Sequence, residues 1–288
     1  MKLALHAQRF RLPFLAVRLQ ALDLDEKPIL GVVASGFIRN MGDQLYLYTC
    51  WHVVTGFDPY AIEVGFELPA RRHLQVTLQA ADKNHPGVEV VGGAQSLHLP
   101  LYEEVGNSLI PLWEQDDQHI SHALLNKVNI FVPFWHDVVR IKLPADIVLS
   151  DMQFIDKKQF FMGNMALIAP GDKCLIVGYP YGYSAFGLRQ PTPVALTRFI
   201  ASDRIEGRHR QLLIDGIAAP GMSGGPVFIE RENDLLLLGV YTGSIYPDHM
   251  RNTSEKVTAL GTVADLSLHL WDALPMVRSP SQVAQSGS

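Results

Sequence analysis

The sequence predicts an all-β protein built as a sandwich or as barrels. Short runs rich in Val, Ile, Leu, Phe and Tyr recur along the chain, bounded by Gly, Pro, Asn or Asp. Long stretches with apolar residues at helical spacing are scarce, which argues against a helical fold. Of the 288 residues, 48% are hydrophobic and 18% are charged. This globular composition excludes a disordered chain and suffices for a large core.

The predicted strands follow one another at short intervals. They cover residues 14–19, 29–34, 44–49, 74–81, 129–133, 137–143, 173–178, 194–200, 211–215, 226–229 and 235–241. Arg9, Arg11 and Arg18 interrupt the N-terminal stretch, so it does not match a signal peptide and we interpret it as an alternating strand. Apolar residues at helical spacing predict one helix over 262–274.

The length predicts about two domains at roughly 150 residues each. We predict a first unit at 10–155 and a second at 156–275, with a break near residues 150–165 between them. Residues 81–128 are less regular, and we interpret them as a long insertion in the first unit. The polar tail at 276–288 is predicted to be disordered.

The charge balance and the cysteine content restrict the classes of partner and the cellular compartment that we expect for the protein. The chain carries 24 Lys and Arg against 29 Asp and Glu, a net charge of -5, so no basic excess indicates a nucleic-acid partner. No apolar run reaches the ~18 residues of a membrane span. Cys50 and Cys174 are too few for a disulfide-stapled secreted domain, and we interpret them as free buried thiols. We therefore expect a cytoplasmic protein without nucleic-acid or membrane partners.

The most informative segment is PGMSGGPVF at 220–228, in which glycines flank Ser223. Glycines allow positive φ and close backbone approach, so we expect Ser223 on a tight turn. There, the amides of Gly221 and Ser223 can face a developing oxyanion. The segment also satisfies the G-x-S-x-G elbow of α/β-hydrolases, but that elbow leads into a helix, with the acid and histidine after the serine. Here a predicted strand follows instead, and little of the chain remains.

A serine nucleophile needs a base and a group that orients the base. His52 follows the strand predicted at 44–49, and Asp137 begins the one at 137–143. The blocks are Thr-x-x-His-Val around His52, Asp and apolar residues then Lys-Leu from Asp137, and Gly-x-Ser-Gly-Gly-Pro around Ser223. With them, in this order, the chain resembles trypsin-like (chymotrypsin-fold) serine peptidases over roughly 14–274. It looks more like bacterial HtrA-type catalytic domains than like secreted trypsins.

The resemblance implies two packed antiparallel six-stranded β-barrels and a C-terminal helix. It also implies a Ser-His-Asp triad, in which Ser223 attacks a carbonyl, His52 transfers the proton and Asp137 orients His52. Asp146 is a rival for the acid, but the residues after Asp137 fit the pattern better. Gly221 and Ser223 would form the oxyanion hole. No cofactor is implied.

The resemblance also implies a primary specificity pocket. Its floor would be Ile217, and its walls would include Thr242, Gly243 and Ser244. Because isoleucine cannot pair with a buried cation, we expect cleavage after small or medium apolar residues. The partner would be a protein or peptide substrate.

Two departures from the family stand out. Met222 occupies the position where proteolytically activated trypsins have an aspartate, so other contacts or a ligand must order the oxyanion turn. We do not expect the PDZ domain usual in HtrA proteins, because 14 residues follow residue 274 (288 − 274). These features motivate an alternative: a silent or partner-gated module that acts by binding proteins, with an activating partner.

His119 and His122 are metal-ligand types at helical spacing, but polar loops collect such residues and we predict no metal site.

Overall fold

The computed structural model shows a β-rich protein and confirms the all-β, chymotrypsin-like fold class. The described residues are 2–57, 71–79, 94–106, 108–115, 137–147, 149, 153–156, 168–182, 193–206, 209–216, 218–231, 234–244 and 260–266. The elements are α1 (Lys2–Leu15), β1 (Ala16–Leu22), β2 (Pro28–Asn40), β3 (Leu45–Thr49), α2 (Trp51–Thr55), β4 (His73–Gln79), β5 (Ala94–Pro100), β6 (Tyr102–Val105), β7 (Ser108–Pro111), β8 (Trp113–Glu114), β9 (Val139–Lys142), β10 (Phe154–Ile155), β11 (Lys173–Gly178), β12 (Val194–Glu206), β13 (His209–Asp215), β14 (Pro226–Arg231), β15 (Asp234–Ser244) and β16 (Leu260–Asp265).

The first half forms a curled half-barrel sheet. Its strands run in the order β5-β4-β1-β2-β3-β9-β8, and β10 pairs in parallel with β2. Over the described residues the sheet has eight strands, where the resemblance implied six. Part of the segment 81–128 belongs to this sheet, because β5 pairs with the whole of β4 and β8 pairs with β9. The domain boundaries remain a prediction.

The second half forms the predicted six-stranded antiparallel barrel. Its closed order is β11-β12-β13-β16-β15-β14. Every neighbouring pair is antiparallel. A buried apolar cluster packs in this barrel, with contributions from Ile176, Ile214 and Val227. Closure pairs every strand on both sides, so the barrel gives the turn before β14 a fixed base.

Two predictions of local structure were wrong in part. The first part of the N-terminal stretch predicted as a strand is α1, with Leu12 and Leu15 buried on one face at helical spacing and Arg9 exposed, and the strand begins only at Ala16, where β1 starts. The start of the predicted C-terminal helix is β16, whose pairing with β13 and β15 closes the barrel. Barrel closure outweighs the weak local helical spacing there, since propensity is readily overridden by tertiary context. Residues 267–274 of that prediction lie outside the described residues.

Helix α1 lies against both halves. Gln8 accepts a hydrogen bond from the Leu235 amide at 2.7 Å and donates one to Asp234 at 2.8 Å, both on the second barrel. Leu12 and Leu15 enter a core cluster that contains residues of both halves. None of the described helices is long and apolar enough to cross a bilayer.

Candidate active site

His52 and Asp137 are brought together by the pairing of two strands. β3 pairs with β9 so that Thr49 lies opposite Val139. His52 follows β3 on the short helix α2, and Asp137 precedes β9, so both lie at the same end of this pair. The His52 Nδ1 atom is 2.7 Å from Asp137 Oδ2, and the His52 amide donates to Asp137 Oδ1 at 2.9 Å. Both carboxylate oxygens are therefore engaged by one residue.

Burial distinguishes the two partners of this pair. The Asp137 side chain is 7% exposed and the His52 side chain is 25% exposed. A buried carboxylate against Nδ1 favours the tautomer with its proton on Nδ1, which leaves Nε2 as the basic nitrogen. Asp146, the rival acid, is exposed. The structure thus favours Asp137 over Asp146 as the partner of His52.

Ser223 lies on the tight turn before β14 that the sequence predicted. Gly221 and Gly224 both have positive φ, 92° and 88°. A Cβ at Gly221 would overlap the Tyr179 carbonyl oxygen, and one at Gly224 would overlap the carbonyl oxygen of Ser35 and the Thr49 hydroxyl. These glycines are required both by their backbone conformation and by close contact with neighbouring backbone.

The turn is attached to the first half next to His52. The Ser35 amide, on β2, donates to the Ser223 carbonyl at 2.9 Å. The Gly224 amide donates to the Tyr241 carbonyl at 2.8 Å, and the Cys50 thiol contacts that same carbonyl oxygen at 3.4 Å. Cys50 precedes His52 by two residues. The half-buried Ser223 and the His52–Asp137 pair therefore share one junction between the two halves.

Three successive peptide groups of the turn are held by hydrogen bonds. The Pro220 carbonyl accepts from the Tyr181 amide at 2.6 Å, and the Met222 carbonyl accepts from the Gly225 amide at 2.9 Å. No described peptide bond is cis. Because C=O and N–H point in opposite directions across a trans peptide, these bonds also orient the amides of Gly221 and Ser223. Neither of those amides donates to a backbone carbonyl within the described part of the chain.

The middle peptide group is held at both ends. The Met222 amide donates to the Ala219 carbonyl at 3.1 Å, and the Gly221 carbonyl accepts from the Ser35 hydroxyl at 2.7 Å. The Met222 side chain is fully buried in the second barrel. The turn therefore carries a buried apolar side chain where proteolytically activated trypsins have an aspartate.

One group of potential metal ligands coincides with the site. The donor atoms of Cys50, His52 and Asp137 lie within 4.8 Å of one another. Burial, and then the charge of Asp137, raise the pKa of the Cys50 thiol well above its ordinary value. A metal requires the thiolate, and the His52 nitrogen that faces Asp137 is already hydrogen-bonded, so this group fits a proton-transfer pair better than a metal centre.

The structure describes three of the four residues predicted to form the specificity pocket. Gly243 has φ 138°, and a Cβ there would meet no atom of the described residues within 4 Å. Thr242 is buried, with its hydroxyl 2.7 Å from that of Thr262. Ser244 ends β15 and is half-buried. Ile217, the predicted pocket floor, lies outside the described residues, as do His119 and His122.

Sequence reasoning missed several residues that support the site. Arg71 donates to the carbonyls of His52 and Val53 at 2.6 and 2.8 Å, and it closes the end of α2. Ser35 contacts Gly221, 186 residues further along the chain. Neither residue stands in a recognisable motif, because what they contact is backbone that only the fold brings near. The serine turn leads into β14 of an antiparallel barrel, which contradicts the α/β-hydrolase elbow.

Comparison with known proteins gives structural similarity at low sequence identity. No model of a protein family matches the chain. No curated protein matches it. A serine endoprotease from Yersinia pestis is similar with a TM-score of 0.47 and 16% identity, over 92% of this chain and 63% of that chain. A protease from M. tuberculosis, in its active form, is similar with a TM-score of 0.47 and 14% identity, over 93% of this chain and 84% of that one. The chain thus spans less than two thirds of the Yersinia structure.

Proposed function

We propose that this protein is a serine endopeptidase that acts through Ser223, His52 and Asp137. The observation that carries the proposal is the His52–Asp137 pair, in which Nδ1 is 2.7 Å from a buried carboxylate. A carboxylate at Nδ1 orients the imidazole and stabilises the imidazolium that forms when Nε2 takes a proton. The serine turn is attached to the same junction through Ser35 and Tyr241.

In the proposed reaction, Ser223 Oγ attacks the carbonyl carbon of the scissile peptide while His52 Nε2 takes the hydroxyl proton. The carbonyl π electrons move to oxygen, and the amides of Gly221 and Ser223 donate to this oxyanion. Collapse breaks the C–N bond, and His52 returns its proton to the departing amine. Water then attacks the acyl-enzyme by the same steps, which releases the acid and restores Ser223. Each oxyanion donor contributes about 10²–10³ in rate in serine peptidases.

We also propose cleavage after small or medium apolar residues. The support is chemical: the predicted pocket floor at Ile217 carries no charge to pair with a buried cation. Among the described residues, none lies within 4 Å of a Cβ placed at Gly243, which is compatible with an extended peptide next to the end of β15. A cytoplasmic location remains part of the proposal, supported by the free buried thiols of Cys50 and Cys174.

Labelling with a fluorophosphonate tests the function. The wild-type protein should form an adduct at Ser223, while Ser223→Ala should abolish it and His52→Ala should slow it at least about 10³-fold. Matched controls are Ser202→Ala on β12 and His98→Ala on β5, which should label like the wild type. The same preparation, incubated with a peptide library, should cleave after small or medium apolar residues.

The controls also define the contrary results. Absence of an adduct in a folded wild type, both alone and with added candidate partners, would refute the peptidase and favour the silent module. An adduct appearing only with an added protein would favour partner gating. Equal labelling of Ser223→Ala and wild type would show a different nucleophile. Cleavage restricted to Arg or Lys would overturn the specificity alone.

A further inference from the structure

Ser35 belongs to the first half of the molecule but contacts the serine turn of the second. It lies on β2 and is fully buried. Its amide donates to the Ser223 carbonyl at 2.9 Å, and its hydroxyl donates to the Gly221 carbonyl at 2.7 Å. Both atoms therefore hold backbone on the turn that carries the proposed nucleophile.

The remaining polar capacity of Ser35 is also used. Its hydroxyl oxygen accepts from the Tyr179 amide at 2.9 Å, and its carbonyl accepts from the Thr49 hydroxyl at 2.9 Å. A Cβ at Gly178 would lie 2.6 Å from the Ser35 hydroxyl oxygen. Ser35 thus joins the exit of β11 to the serine turn through its side chain and contacts the end of β3 through its carbonyl, and the lack of a Cβ at Gly178 leaves room for the hydroxyl.

We propose that Ser35 is a positioning residue whose hydroxyl orders the oxyanion turn by holding the Gly221–Met222 peptide. The inference rests on the proposed function. It explains how the oxyanion turn is ordered although Met222 cannot form the ion pair that an aspartate makes at this position in activated trypsins. Ser35 holds the carbonyl of the middle peptide, and the flanking peptides carry the two proposed oxyanion amides. If the Gly221–Met222 peptide rotates, the amides of Gly221 and Ser223 no longer point toward the same oxyanion.

The hydroxyl is the decisive group. Without it, the Gly221 carbonyl and the Tyr179 amide each lose the hydrogen bond to Ser35, and the loss of a buried hydrogen bond is unfavourable. The chain can avoid this cost by turning the Gly221–Met222 peptide toward water. Gly221 gives no steric resistance to such a rotation, because a glycine populates many backbone conformations. Oxyanion stabilisation should therefore suffer more than substrate binding.

The test compares Ser35→Ala with Gln20→Met in the full chain. Gln20 is a matched control because it is a buried residue of the same sheet, and its side chain bonds the carbonyls of Ile29 and Val32 away from the turn. Two readouts are measured on each protein: hydrogen exchange of peptides covering 218–225, and the kcat and KM for a cleaved peptide. Thermal unfolding monitors general loss of stability.

The expected result separates positioning from folding. Both variants should lower the melting temperature, but only Ser35→Ala should speed exchange at 218–225 and lower kcat about 10-fold to 100-fold, with KM changed less than about threefold. Unchanged exchange at 218–225, or an unchanged kcat in an active protein, would overturn the inference. A wild type that never labels would refute the proposed function, and the exchange readout would still decide whether Ser35 orders the turn.

Discussion

The two cysteines show how burial decides the chemistry of a side chain. Cys50 and Cys174 are both fully buried. Burial raises the pKa of Cys174 to about 12, with the charge of Asp215 acting in the same direction and that of Arg198 opposing it. Burial and Asp137 raise the pKa of Cys50 as well. The nucleophilic thiolate is therefore disfavoured at both positions, so Cys50 does not compete with Ser223 despite its place beside His52.

These shifts predict a loss of stability in alkali. An unfolded cysteine titrates near 9.0, whereas folded Cys174 holds its proton to about 12. Between these values the unfolded state binds fewer protons, so the free energy of unfolding should fall as pH rises. Urea unfolding of the wild type and Cys174→Ser, at neutral pH and between pH 9.0 and 12, measures this. The variant should show a shallower decline, by up to about one proton's worth of slope. Parallel declines would contradict the assignment to Cys174.

At the scale of elements, the turn at Pro180–Gly182 orients a proposed oxyanion donor. Tyr181 has φ 53°, uncommon for a residue with a side chain, and the residue is 75% exposed. The contribution of Tyr181 to the site is therefore its amide, which donates to the Pro220 carbonyl. The positive φ of Tyr181 occurs where its amide bonds the Pro220 carbonyl, and this hydrogen bond fixes the direction of the Pro220–Gly221 peptide.

Two substitutions at this position separate the amide from the ring. Tyr181→Gly keeps the amide and tolerates positive φ, so it should label with fluorophosphonate at close to the wild-type rate. Tyr181→Pro removes the N–H and fixes φ near −65°, so labelling should slow about 10²–10³-fold. Second-order labelling rates give the comparison, and melting temperatures confirm that both proteins fold. Equal rates for the two variants would show that the Pro220 carbonyl needs no partner.

Local sequence patterns predicted most strands correctly. They failed where pairing between distant strands determines the structure. The strand predicted at 173–178 is observed as β11 with the same bounds, because its apolar residues and flanking turn signals are all local. The residues of β16 carry helical spacing, yet they close the barrel as a strand. The motifs predicted His52, Asp137 and the Ser223 turn. Ser35 and Arg71 were not predictable, because their partners are backbone atoms that become neighbours only on folding.

At the scale of the whole molecule, α1 joins the two halves. Its buried face contributes Leu12 and Leu15 to a core that also contains Leu235 and Val240 of the second barrel. Its polar face pairs Arg9 with Glu230 at 2.8 Å. Apolar burial stabilises such a contact more than a solvent-screened ion pair does.

This ranking predicts different costs for two substitutions on α1. Leu12→Ala should lower the free energy of unfolding by about 2–5 kcal/mol, because it leaves a cavity between the halves. Arg9→Ala should cost at most about 1 kcal/mol, since the Arg9 side chain is 45% exposed. Denaturant unfolding measures both values. A larger loss for Arg9→Ala than for Leu12→Ala would mean that charge, rather than packing, attaches the helix.

The attachment of the serine turn to strands from both halves has a consequence for biosynthesis. Ser35, His52 and Asp137 leave the ribosome long before Ser223, and the carbonyl of Tyr241 that holds Gly224 follows later still. The barrel closes only when β16 has been made. A nascent chain therefore contains the proposed acid and base for nearly half of its synthesis without an ordered nucleophile. Because the nucleophile turn is ordered last, a peptidase built in this way would not cleave the translation machinery before its synthesis is complete.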